Sequence, residues 1–144
     1  TTQVVNDVVA IGSGAMAGAN EDEVSGSVAI GASAGAALTT GAGNVAIGYQ
    51  SLDALVSGDY NTALGYQSLS AEDQGNRSTA IGYGCMISQA KGSDADMANT
   101  GVGFLSGRYN VTGTNNTYLG YQAGAGASGE SNSYNTAVGY RRSC

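Results

Sequence analysis

No histidine occurs anywhere in the 144 residues, and lysine and arginine together number five against eleven aspartates and glutamates. Without histidine the commonest general base is missing. Cys85 has no partner base, so nucleophilic catalysis has little to build on. Two isolated cysteines also supply no tetrahedral ligand set, and neither a metal nor any other cofactor is expected. Five scattered cations form no basic stripe to neutralise phosphates, which argues against nucleic acid as a partner. No stretch reaches the roughly 18 apolar residues of a membrane span and no charged-then-apolar leader opens the chain, so membrane insertion is not expected. Large apolar side chains are scarce too: Leu, Ile, Val and Phe number 24. A share that low points to disorder when net charge is high, yet only 11 % of residues are charged and the balance is −6. The chain must be ordered by some means other than a globular core.

That means is repetition. The phrase Asn44-Val45-Ala46-Ile47-Gly48-Tyr49-Gln50 returns along the whole chain, near 8–12, 27–31, 44–50, 61–67, 78–83, 99–104, 116–122 and 135–140. Its glycines are Gly12, Gly31, Gly48, Gly65, Gly82, Gly103, Gly120 and Gly139, at spacings of 19, 17, 17, 17, 21, 17 and 19. A repeat of 17 residues with extra residues tolerated at three places describes stacked units, each ordered by its neighbours, with a thin apolar column in place of a core. The whole of 1–144 is therefore one repeat domain.

Within each phrase Val or Thr, Ile or Leu, and the aromatic sit two apart and share one face, while Asn, Ala and Gly share the other. This alternation predicts a short strand with a bulky face and a small face. Seventeen residues are too few for a strand, a helix and both connections, but suffice for two short strands and two turns. No block has a helical period, although 50–56 has room for one helical turn. Gly101 and Phe104 keep the size classes of their faces, whereas Tyr118 takes the place of a small residue. The acidic tetrad Asn20-Glu21-Asp22-Glu23 falls where the spacing widens and is expected to be a solvated bulge. It lacks the alternating Asp and central Gly of a calcium loop. The carboxylates as a whole are expected in corners. A chain opening at Thr1 without Met reads as a fragment or processed product.

The phrase Asn-Val-Ala-Ile-Gly at 44–48 resembles the head repeat of trimeric autotransporter adhesins, whose coils stack as a parallel β-roll. The fuller form Asn-Thr-Ala-Leu-Gly-Tyr-Gln-Ser-Leu at 61–69 is more similar to the repeats of tail-fibre proteins of tailed phages, especially marine ones. The likeness covers nearly the whole chain, although adhesin head repeats are typically shorter than 17 residues. It implies an all-β parallel β-roll or β-solenoid of about eight coils, associated as a homotrimer. It also implies a non-enzymatic shaft or head segment of a phage tail fibre in the virion, joined to other fibre or baseplate proteins and projecting a device for a host receptor or glycan. The alternatives are the head of a bacterial surface adhesin, extracellular, and a polysaccharide-cleaving tail spike.

Stacking puts equivalent residues about 4.8 Å apart, so like side chains form ladders. An asparagine column (Asn44, Asn61, Asn99, Asn116, Asn135) can bridge turns through its amides, and the glycine column permits a sharp corner or close backbone approach. An aromatic column (Tyr49, Tyr66, Tyr83, Phe104, Tyr121, Tyr140) is either a packed or subunit-interface ladder or a platform for sugar rings. A threonine column at 62, 79, 100, 117 and 136 invites comparison with ice-binding solenoids, but Val holds the same place at 9, 28 and 45. With little bulk per coil, a lone roll has a meagre interior, and joining three would bury the bulky faces. Finally, Cys85 and Cys144 lie three coils apart. Sequential stacking separates their α-carbons by roughly 14 Å along the axis, against about 7 Å for a disulfide, so no intrachain bond is expected.

Overall fold

The computed structural model describes residues 7–20, 23–126 and 131–141, and among these there is no helix. Each phrase contributes one three-residue strand, and two further two-residue strands lie between phrases. In chain order they are β1 (Val9–Ile11), β2 (Val28–Ile30), β3 (Val45–Ile47), β4 (Thr62–Leu64), β5 (Gly75–Asn76), β6 (Thr79–Ile81), β7 (Ala95–Asp96), β8 (Thr100–Val102), β9 (Thr117–Leu119) and β10 (Thr136–Val138). The eight phrase strands form one parallel sheet in sequence order, and β5 pairs with β7 in a second, two-stranded one. Register is exact from copy to copy: Val45 pairs with Thr62, Ala63 with Ala80, and Leu64 with Ile81. The chain is thus a parallel β-solenoid of about seven turns. Residues 50–54 form turns, so the room for a helical turn there is not used.

The alternation of the phrase sets inside and outside. Ala29, Ala46, Ala63, Ala80, Tyr118 and Ala137, at the strand centres, are buried, and the residues on either side of each are half-buried or exposed. Alanine alone would leave the interior nearly empty. The filling comes from positions between the phrases: Leu52, Leu69 and Met86 four residues after a phrase glycine, and Leu38 and Leu55 seven after. Reaching inward from these positions requires sharp corners. Gln67, Leu69 and Tyr60 take left-handed conformations (φ 51°, 50° and 57°), and their equivalents in most other coils do the same. Leucine in that region carries a steric cost of about 1 kcal/mol, which burying its side chain offsets at roughly 1.5–3 kcal/mol.

Bulk is balanced within the stack. Tyr118, the exception among the small inward residues, fits because the positions occupied elsewhere by Leu52 and Leu69 are Gly107 and Gly124 around it. A Cβ on Gly107 would lie 2.6 Å from the Tyr118 ring, and one on Gly124 would overlap it. Gly101 plays the reciprocal part, since a Cβ there would lie 2.6 Å from the sulfur of Cys85. Interior volume is therefore conserved by pairing a large residue with glycine.

Candidate functional site

The phrase glycines lie where successive coils approach closely. Gly31 has φ 134°, and a Cβ on it would lie 2.6 Å from the carbonyl oxygen of Gly48; the same relation runs from Gly12 to Gly139. Both the torsion and the space exclude a side chain.

The asparagine column lies inside and links coil to coil. The Oδ1 of Asn44 accepts the Asn61 N–H at 2.9 Å, and the Oδ1 of Asn61 accepts the Ser78 N–H at 2.9 Å. Asn99 and Asn116 receive the N–H groups of Asn116 and Asn135 in the same way. The Nδ2 groups of Asn44, Asn61 and Asn99 donate to the carbonyls of Gly58, Gly75 and Gly113. Each amide thereby satisfies backbone groups of the next coil, as buried polar groups require. Ser78 interrupts the column, and Gln89 takes over there: its Nε2 donates to Ser78 Oγ and its Oε1 accepts from Asn99 Nδ2.

Gln89 also donates to Glu72 Oε2 at 2.8 Å. Glu72 is fully buried, which corrects the expectation that the carboxylates sit in corners. The tight approach of the Gly75 N–H (2.7 Å), with longer contacts from the N–H groups of Asp73, Gln74 and Lys91, holds its Oε1. A carboxylate so enclosed by donors is a structural acceptor, replacing the apolar Leu55 of the coil before. Arg77 pairs with Asp96 at the exposed corner beside it. Burial pushes the Cys85 thiol up to about 12, and Asp53, with an oxygen that has no hydrogen-bond partner, is also raised by desolvation. Among the described residues no group of three His, Cys, Asp or Glu could hold a metal ion. Of the acidic tetrad, Glu21 and Asp22 lie outside the described residues, as does Cys144.

The outer face of the large sheet is the surface that remains. Three columns run its length: Val or Thr, then Ile, Leu or Val, then the residue after the phrase glycine. None of the 24 positions is charged. Tyr49, Tyr66, Tyr83, Phe104, Tyr121 and Tyr140 form a continuous stack, with ring centroids 5.1–5.2 Å apart and planes within 6–19° of parallel. Tyr49, at the end of the stack, is 46 % exposed, much like Tyr66 (43 %) and Tyr83 (48 %) within it. The ring faces that a sugar would need are turned toward neighbouring rings along the stack; at its other end Tyr140 is more open (66 %), with the Arg141 guanidinium 5.4 Å from its ring centroid. Beside the stack, Leu64 (45 %) and Leu119 (48 %) leave about half their surface open. Threonine does not run unbroken beside them, since Val9, Val28 and Val45 precede Thr62.

Sequence reasoning placed these columns but missed Glu72, Gln89 and the leucines of the interior, because none belongs to the phrase. The available signal was the 17-residue offset that puts Leu38, Leu55, Glu72 and Gln89 in one column. Comparison with protein-family models, with curated proteins and with solved structures finds no match at a significant level.

Proposed function

We infer that the chain is a non-enzymatic structural segment, the shaft or head of a homotrimeric attachment fibre of the phage tail-fibre kind that its repeats resemble. One observation carries this reading. A rod of about seven turns presents along one side an uncharged face of partly exposed residues, aliphatic along its middle in all eight strands and lined by aromatic rings from the third copy on. Contiguous apolar surface of that extent is characteristic of an assembly interface, and three identical rods can bury it around a common axis. The coil-to-coil hydrogen bonding by asparagine suits a part whose work is to stay straight and stiff. In this reading the fibre holds a receptor-binding device away from its base, and the aromatic column contributes to assembly.

Sedimentation of the purified chain should give a mass near three chains, and a stable monomer at micromolar concentration would remove the trimer. On the full-length fibre, Tyr66→Ala or Tyr83→Ala should lower the unfolding temperature more than it lowers host attachment. Loss of attachment with unchanged unfolding would instead make the column a receptor or glycan contact. Release of reducing ends from host polysaccharide by the intact fibre would make it a cleaving spike.

A further inference from the structure

We propose that in this trimer the aromatic column of each copy packs against the Val/Thr column of the next copy at the same height, with the aliphatic column between them on the three-fold axis. The inference rests on the trimeric reading above and adds which columns meet.

The outer face is three columns wide, and the third column lies beyond the phrase glycine that ends each strand, so the first and third columns stand at most about 13 Å apart at a strand rise of ~3.3 Å per residue. Among the described residues no hydrogen bond or ring contact joins the two columns within one chain. Their identities nevertheless change together along the rod. In the first two copies Val9 and Val28 accompany the small residues Ser13 and Ala32. From the fourth copy to the eighth threonine accompanies an aromatic, as in Thr62 with Tyr66 and Thr79 with Tyr83; only Val45 with Tyr49 departs. A contact made by another chain at the same height would produce such a paired change. Rotation about an axis parallel to the rod makes that contact, because it keeps every coil at its own level and sets one edge of the face against the opposite edge of the neighbour. The chemistry fits. Aromatic and β-branched side chains pack well across strands. The middle column is aliphatic in all eight strands, from Ile11 to Val138, as an axial position requires. No charge on the face opposes contact between identical surfaces.

Cysteine cross-linking tests this, in a Cys144→Ser background and with sedimentation mass measured on the same samples. Cys85 is buried and does not interfere. The double variant Thr79→Cys with Tyr83→Cys should run, oxidised and without reductant, as a covalent species of three chain masses. Each single variant should stay at one chain mass, and Ile81→Cys alone should give a covalent dimer. The pair Thr62→Cys with Tyr66→Cys, one coil earlier, repeats the test should the first fail to fold. Dimers from Thr79→Cys alone would indicate like columns facing one another in reversed rods and would overturn the proposal. A covalent dimer from the double variant would replace the three-fold by a parallel two-fold. A particle of three chain masses with no link would refute the column pairing and leave the trimer standing. A particle of one chain mass would refute the trimer itself.

Discussion

Single residues in this fold are judged by the coil above and the coil below. Gly65 has φ 139°, and a Cβ there would overlap the carbonyl of Gly82; Gly92 has φ 62° and nothing within 4 Å. Gly65→Ala is expected to lower stability by more than about 3 kcal/mol, and Gly92→Ala by about 1 kcal/mol, as measured by urea unfolding. Cys85 tests burial through its proton. Its folded value of about 12 lies above the ordinary 9.0, so the folded state favours the neutral thiol. The associated stability is complete below pH 9.0 and is lost as pH rises toward 12. Cys85→Ala should therefore be less sensitive to alkali than the parent between pH 9.0 and about 12, and the native thiol should react with a disulfide reagent only as the protein unfolds. For Asp53 the raised value has the same sign: the folded state favours the protonated carboxyl, and stability falls as pH rises above the ordinary 3.8. Asp53→Asn should unfold at a higher temperature than the parent at pH 7 and show a smaller difference at pH 3.

At the scale of the element, one turn of the solenoid is a small container whose volume is shared among three or four positions. The strand centre and the position four residues beyond the phrase glycine trade bulk: Ala63 with Leu69, but Tyr118 with Gly107 and Gly124. Tyr118→Ala should cost about 3–5 kcal/mol as a cavity opens. Gly124→Leu, alone, should destabilise by overpacking against the tyrosine ring. Made together the two changes restore the arrangement of Ala63 and Leu69, so the double variant should be more stable than either single one. Equal or additive losses in that double-mutant cycle would mean that the two positions do not share space. The exchange was only half legible in the sequence. Tyr118 stood out as an exception to the pattern, whereas the glycines that accept it looked like any of the other glycines.

At the scale of the whole molecule, stability is a sum over coils and the interfaces between them. Removal of residues 61–77, one complete 17-residue period, joins Tyr60 to Ser78 and leaves every column continuous. The shortened chain should keep a β-type circular dichroism spectrum and form a rod shorter by about 4.8 Å, measurable by small-angle scattering. Removal of 16 residues at the same place puts the following columns out of phase by one position. Small residues then face out and bulky ones face in, with loss of the cooperative transition. A strongly helical spectrum for the parent chain would contradict the solenoid altogether.

Period and alternation were decided by the sequence alone. Equivalent residues one repeat apart must meet when units stack, and every second residue of a strand points the same way; both are local rules that need no knowledge of the rest of the chain. Hence the parallel register, the columns of glycine, asparagine and aromatics, and the class of fold were all legible in it. Only the tertiary structure decided what fills the interior. Leu52 and Leu69 point inward because their backbone takes a left-handed corner, a conformation leucine disfavours and no local pattern announces. Glu72 is buried because four backbone N–H groups and the Gln89 amide converge on it from two coils. Three of those N–H groups belong to its own turn, but the Gln89 amide and the Lys91 N–H come from the next coil and reach it only once the coils are stacked.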